Sequence, residues 1–283
     1  MSSTTIAPPT YVQPPAIQAH RYGLFSVANM VDPTGRWELG VEWEPLHPLR
    51  ADTLAVECDV AEAHGWPIES RGGEDLATAL PFAVIGSYSC GIASRDLDEA
   101  EARAREHLIG GEERAVEWAL QTGTPGNEPN FQGAEDLTPG SGAVDVVDGF
   151  GILESYLGRV HHSVGVIHSP RKVAPEVSTR SGLLSRQGNR IETMLGTFVA
   201  FGGGYDVANV GPDGNAPADG QAWLYATARP QVRRSEVTVY PDRDHWLDLP
   251  TNDLVIVAMR AYVIGWDPVL AAVRVEAPEQ PAA

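Results

Sequence analysis

Four groups of side chains in this 283-residue chain have residue types suited to chemistry. His161 and His162, with His168 nearby, have the donor atoms of a metal site. Adjacent residues of a strand point to opposite faces, so the spacing does not chelate, and no HExxH run is present. Gly202-Gly203-Gly204, with Gly211 and Gly214, has the composition of a phosphate cradle. It does not fit GxGxxG, and no GKS or GKT follows, so a structural turn is expected. Asp206, Asp213, Asn215 and Asp219 have calcium-binding oxygens, but depart from the order of a calcium loop and lack its closing Glu; a polar surface loop is expected. Ser, His and Asp are all present, yet no GxSxG elbow marks a nucleophile. Motifs alone give no support to an enzyme.

Charge excludes further classes. The chain has 38 acids and 20 bases, a formal net charge of −18. Lys172 is its single lysine. A Walker-type ATPase needs the lysine of its phosphate loop, and sequence-independent DNA binding needs many basic contacts to phosphate. Neither fits, and docking on an anionic membrane is equally disfavoured. Cys58 and Cys90 form no CxxC and are read as reduced thiols. Residues 1–20 hold no charged side chain except histidine and are interrupted by Pro8, Pro9, Pro14 and Pro15, unlike a signal peptide. The chain is expected to be soluble and made in the cytosol.

The elements that would position these residues mix helix and strand without regular βαβ alternation, which predicts an α+β fold. After a proline-rich arm, residues 22–46 are read as a β-hairpin. Leu24–Ala28 would form one strand, Asp32-Pro33-Thr34-Gly35 the turn, and the alternating Trp37, Leu39, Val41 and Trp43 the other. Residues 47–80 read as irregular, and Val31 to Leu80 carries eleven acids against three arginines. Pro81 to Tyr88 reads as a strand. Asp96 to Gln121 reads as a helix about 39 Å long, capped at Ser94 and kinked or split at Gly110-Gly111. A second helix carries Val144, Val147, Leu153 and Leu157. Strands are expected at Val164–His168, Thr197–Phe201, Ala222–Ala226, Glu236–Tyr240 and Ala272–Val275, with a long apolar run from Leu254 to Trp266. Ser169-Pro170 is expected to open a third helix, with Pro175 interrupting it or marking its effective start. Residues 206–220 are read as loop.

Charge is segregated along the chain. Residues 123–157 hold six acids (Glu128, Glu135, Asp136, Asp145, Asp148 and Glu154) and no base. Residues 158–191 hold six bases (Arg159, Arg171, Lys172, Arg180, Arg186 and Arg190) against Glu176 alone. Opposite segments can pair within one fold. They can also orient identical subunits, because a head-to-tail ring needs two different complementary surfaces.

The order of these phrases resembles the major capsid protein of tailed bacteriophages, the Hong Kong 97-type fold. The resemblance covers roughly residues 95–276. It begins where Gly111-Glu112-Glu113-Arg114-Ala115-Val116-Glu117-Trp118-Ala119-Leu120-Gln121-Thr122-Gly123 leaves the long helix. It continues through Val164-Gly165-Val166-Ile167-His168-Ser169-Pro170-Arg171, through Met194-Leu195-Gly196-Thr197-Phe198-Val199, where Thr197 replaces the usual proline, and through Arg233 to Tyr240. It ends in Asn252 to Val275, with Arg260, Trp266 and Pro268 in order.

The resemblance implies an extended N-terminal arm (1–21), an E-loop region (22–80), a peripheral domain with a spine helix (81–122), an axial domain (123–228), strands returning to both (229–276) and a tail (277–283). It implies a structural shell subunit with no active site, cofactor or metal, located in the virion capsid and made in the host cytoplasm. The partners would be other copies of itself in pentamers and hexamers, with scaffold, portal or decoration proteins around an enclosed genome. An encapsulin-like compartment, another virion part such as a tail or connector protein, and an unrecognised α+β enzyme are the alternatives. Candidate interface residues are Arg159, Arg171, Lys172, Arg180, Arg186, Arg190, Glu128, Glu135, Asp136, Trp37 and Trp43. Some members of the family crosslink Lys to Asn. Here the E-loop region has no lysine, and Asn252, near the family's partner position, has no matching one, so no such crosslink is expected. No fused scaffolding domain is expected, since about twenty residues precede the first hairpin.

Overall fold

The computed structural model describes residues 18, 20–46, 76–91, 96–140, 142–180, 182–248 and 250–278. In chain order the elements are α1 (Leu24–Val27), β1 (Asn29–Met30), β2 (Val41–Trp43), β3 (Ala77–Ala79), β4 (Pro81–Gly91), α2 (Leu97–Thr122), β5 (Glu135–Asp136), α3 (Val146–Tyr156), β6 (Gly165–Pro170), α4 (Ala174–Thr179), β7 (Leu184–Gln187), β8 (Arg190–Thr193), β9 (Phe198–Gly202), α5 (Gly203–Ala208), β10 (Gln221–Ala228), β11 (Gln231–Arg234), β12 (Thr238–Tyr240), β13 (Leu247–Asp248), β14 (Asp253–Gly265) and β15 (Leu270–Glu276).

Two sheets organise them. In the first, β14 is the axis: β4 pairs with it antiparallel from Asp253 opposite Gly91 to Val263 opposite Pro81, and β11, β12 and β13 also pair with it. Helix α2 lies across β4. Phe82 and Val84 alternate inward with exposed neighbours, as a half-buried strand requires. Gly86 completes that face because the helix runs too close for a side chain: a Cβ there would stand 2.3 Å from the Leu108 nitrogen. The second sheet has seven strands in the order β5-β15-β10-β6-β9-β8-β7, with β5–β15 and β6–β9 parallel and the other pairs antiparallel. One continuous apolar core runs through both.

Helix α2 forms as its periodicity predicts. Ala100, Ala104, Leu108, Val116, Ala119 and Leu120 are buried on one side. Asp96 caps it by accepting from the Asp98 N–H, and left-handed Gly123 (φ 68°) ends it; Ser94, the expected cap, lies outside the described residues. Gly110-Gly111 neither splits nor ends the helix, which is continuous over 26 residues. The apolar run 254–266 is a strand up to Gly265, and Pro175 sits in the first turn of α4.

Four expectations are corrected. Residues 22–46 are not a hairpin: Leu24–Val27 is one helical turn with Leu24 and Val27 buried three apart, and β2 pairs with β3, more than thirty residues further along. Ser169-Pro170 ends β6, and the helical turn that follows opens one residue later than expected, at Arg171 with Pro170 as its cap, and runs on into α4. Gly203 and Gly204 begin α5, so the loop starts after Ala208. The strand read at Glu236–Tyr240 is shorter, Thr238–Tyr240. The arm through residue 17, residues 47–75 with Cys58, and the tail from 279 lie outside the described residues.

Candidate assembly surface

The seven-stranded sheet carries members of the two charge segments on its two edges. Its first edge is β5, whose two residues, Glu135 and Asp136, are both exposed, and Glu128 is exposed on the preceding segment. Its last edge is β7, which carries exposed Arg186, paired with β8 and its half-buried Arg190. Arg159 is exposed in the π-helical turn Leu157–His161. One sheet therefore has an acidic end and a basic end.

Several of the bases also have partners inside the chain. Arg180 bridges to Asp145 at 3.3 Å, an ion pair between the two opposite segments. Lys172 donates from Nζ to the Gln221 carbonyl at 3.1 Å. Both tryptophans pack within their own subunit. Trp37 is buried against Ala79 and Val263, so it is no surface residue. Trp43 donates from its indole to Asp267 at 3.1 Å and covers Gly265, where a Cβ would come within 2.5 Å of its ring.

Arg171, Arg186 and Arg190 converge on residues 21–26. Arg171 donates to the Arg21 carbonyl at 3.1 Å, Arg186 lies 5.1 Å over the Tyr22 ring, and Arg190 donates to the Ser26 carbonyl at 3.1 Å. Further along, Arg229 donates to the Val27 carbonyl at 2.9 Å. The Phe201 N–H donates to the Tyr22 carbonyl at 2.7 Å. From the other side, Glu117 accepts from the Leu24 N–H at 3.0 Å, and Glu113 accepts from the Phe25 N–H at 2.8 Å. These two donors belong to the first turn of α1, where N–H groups have no partner within the helix. The main chain of this segment is thus gripped residue by residue by side chains of α2, β8 and the second sheet. It then runs on as β1, parallel to β11.

Glu117 also accepts from the Gly204 N–H at 2.9 Å, so one carboxylate serves the first turns of both α1 and α5. This explains two of the three glycines in the run. A Cβ on Gly204 would lie 2.3 Å from the Arg114 carbonyl, and one on Gly202 would lie 2.4 Å from the Glu117 carboxyl carbon. Burial lifts Glu117 to about 7; its two N–H partners pull it down and neighbouring Glu113 adds to the lift. Burial also raises Glu113, against its Phe25 bond and the pull of His20 and Arg171.

An exposed apolar turn flanks the basic edge. Met194 and Leu195, 75% and 73% exposed, sit on the turn between β8 and β9. Glu154 holds that turn by accepting from the hydroxyls of Thr193 and Thr197.

No sequence family and no curated protein matches this chain. Solved structures do. A chain of Microbacterium phage Oxtober96 superposes with a TM-score of 0.57 at 13% identity, over 95% of each chain. The capsid of a native GTA particle gives 0.59 at 11% identity, over 97% of each. The capsid of Ralstonia phage GP4 gives 0.52 at 12% identity, over the whole of both chains.

The chain has the capsid fold.

Within the capsid fold, three of the residues first considered for chemistry have well-defined partners. His168 is buried, bonded to the Tyr205 hydroxyl and to Thr227 Oγ1, each at 2.9 Å, and burial lowers it to about 3. Asp206 accepts from the Arg171 and Lys172 N–H groups at 3.0 and 3.1 Å, and Asp213 closes a turn on Asn215. Among the described residues no group of three His, Cys, Asp or Glu is placed to hold a metal, and no helix is long and apolar enough to cross a membrane. Sequence reasoning missed Glu112, Glu113 and Glu117. Two glutamates four apart read as a solvated helix face, and only the neighbouring Gly202–Gly204 run hinted at a close approach.

Proposed function

We propose that the chain is the major capsid protein of a tailed phage, a non-enzymatic subunit that assembles with copies of itself into an icosahedral head shell around DNA. The observation that carries this reading is the end-to-end superposition on capsid chains, 97% of both chains for the GTA particle and all of both for Ralstonia phage GP4. In this reading the first sheet with α2 is the peripheral domain and the seven-stranded sheet the axial domain. Residues 1–21 are the arm, 22–80 the E-loop region, 123–228 the axial segment, and 229–276 the strands that link both. The protein resides in the virion capsid. Its acidity suits a container that must not hold its DNA tightly.

The acidic and basic ends of the seven-stranded sheet support a head-to-tail contact, since a ring of identical subunits joins two different surfaces. Glu128, Glu135 and Asp136 of one copy would face Arg159 and the β7 edge of the next, and the Met194-Leu195 turn would supply apolar contact. Arg186 and Arg190 also hold residues 22 and 26 of their own chain, so the acidic edge is the cleaner place to intervene. Lys172 is committed to Gln221 and lies in the second sheet's half, which supports a shell without a Lys–Asn crosslink.

Electron microscopy of the purified protein tests the reading: closed icosahedral shells are expected, and a monomer or dimer under all assembly conditions overturns it. Particles holding protein cargo in place of DNA would indicate a compartment, and open rings or tubes a tail or connector part. The variant Glu128→Lys/Glu135→Lys should remain a folded monomer and lose shell formation. Covalent multimers on denaturing gels would overturn the absence of a crosslink.

A further inference from the structure

The grip on the N-terminal segment has an unusual balance of charge. Glu113 and Glu117 stand one turn apart on α2 and aim at the same few residues. Glu117 is 1% exposed. Each accepts from the backbone of α1, and Glu117 from α5 as well. Neither has an ion-pair partner within 4 Å among the ion pairs of the described residues.

The charged and titratable groups around the pair come from four elements. The segment itself supplies His20, which favours ionisation of Glu113, and the turn before α4 supplies Arg171, which favours ionisation of both. Helix α2 supplies Glu112, which opposes ionisation of Glu113, and Arg114, which lines the same small cavity. Helix α5 supplies Tyr205, kept neutral by burial, and Asp206, which is turned onto Arg171 and Lys172 N–H groups. A cavity of about 150 Å³ between Gly23, Ile109, Glu113, Glu117, Arg171 and Gly203 reaches the carboxylates. It gives protons a route to them.

We infer that Glu113 and Glu117 form a proton-linked clasp: it holds Tyr22–Ala28 against α2 most tightly when the pair carries a proton, and loosens when both carboxylates are charged. Two charges on adjacent turns repel each other and require water, and lifting α1 supplies that water. The tendency follows from linkage. Glu117 binds its proton more tightly when covered, at about 7, than a free glutamate does, at 4.5. Opening therefore becomes easier as pH rises from 4.5 to about 7 and levels off above that. The segment joins α2 to both sheets, so its release frees the N-terminal arm without unfolding either sheet. The inference concerns a lone subunit and stands whether or not shells form.

Hydrogen exchange on the unassembled full-length protein tests it, read at the amides of Leu24 and Phe25 after correction for the intrinsic rate. Protection of these two amides is expected to fall by about fifty-fold between pH 5 and pH 7.5, while core amides of β10 and β15 stay protected. In Glu117→Gln, which cannot ionise there, that pH dependence should shrink to the part contributed by Glu113. Equal protection of Leu24 and Phe25 at both pH values in the wild-type protein overturns the inference. So does an undiminished pH dependence in a Glu113→Gln/Glu117→Gln variant that retains wild-type circular dichroism. If that variant fails to fold, the wild-type pH series alone decides.

Discussion

Glu112 and Glu113 are neighbours in sequence, yet α2 turns them to different sides. Glu112 faces the first sheet, where Arg260 donates to both its oxygens at 2.7 and 3.1 Å, Tyr262 donates at 2.7 Å and Arg234 approaches to 3.4 Å. Glu113, with Glu117 one turn on, faces the N-terminal segment and α5, where the donors are backbone N–H groups. Both sides bury a carboxylate at a junction between elements. One junction is neutralised by side-chain cations and belongs to the permanent frame. The other is satisfied by main-chain dipoles and retains a charge that protons can adjust. A carboxylate held by arginine makes a fixed joint, and a carboxylate held only by amides makes a joint that responds to its medium.

The largest effect should come from breaking the cationic side. Glu112→Ala leaves Arg260, whose side chain is 13% exposed, without its partner. A loss of about 3–5 kcal/mol is expected for a broken buried pair, read by chemical denaturation of the unassembled chain. The amide side should instead respond to pH. Its raised carboxyl contributes stability that is complete below 4.5 and lost as pH rises to about 7. Stability of Glu117→Gln relative to wild type should therefore climb by roughly 3 kcal/mol across that window. His168 works in the opposite sense: its lowered value makes the fold lose stability as pH falls from 6.5 towards 3. Both proteins should share that acid limb. A flat difference between them would erase the contrast between the two sides of α2.

Closeness sharpens it further. Gly204→Ala would push α5 off Glu117 and Arg114 and should cost about 2 kcal/mol by overpacking, with protection of the Leu24 amide reduced as well. A further carboxylate, Glu154, is held by hydroxyls and sits between the two cases. Thr193→Val keeps the shape but removes a hydroxyl that donates to Glu154 and accepts from the Leu195 and Thr197 N–H groups, and about 1 kcal/mol or somewhat more is expected, seen as a lower melting temperature. The smallest effect belongs to the exposed pair. Arg180→Ala removes a partner of Asp145 in which both side chains are about half exposed, and about 0.5 kcal/mol or less should be lost.

The sequence made some of this readable and hid the rest for physical reasons. Helix α2 announces itself because six buried positions recur at helical spacing over 26 residues. The extent of β14 shows as an apolar run from Leu254 to Trp266, but such a run does not by itself separate strand from buried helix. Leu24–Val27 misleads, because one helical turn is too short to show a period and its apolar letters look like a strand. Trp37 to Trp43 misleads differently. Its alternation is real at Val41–Trp43, but the pairing partner is β3, and no local pattern reports a partner so far along the chain. The charge segregation was legible, and so was its possible use between subunits, but not that three of its arginines reach the chain's own residues 21–26. Glu113 and Glu117 were least legible. Their burial is decided by Gly23, Gly202 and Gly204, whose lack of side chains lets three segments meet.

The way residues 21–27 are held has an evolutionary consequence. Four carbonyls and two amides of this short stretch are addressed by partners elsewhere in the chain. Such a contact is blind to most side chains, so the stretch is free to drift in composition wherever its residues face outward. One substitution stands apart. Proline has no N–H to offer, and in a chain whose prolines are frequent up to Pro15 and resume at Pro33, positions 24 and 25 are where a single cyclic residue would silence the donors that the long helix reads.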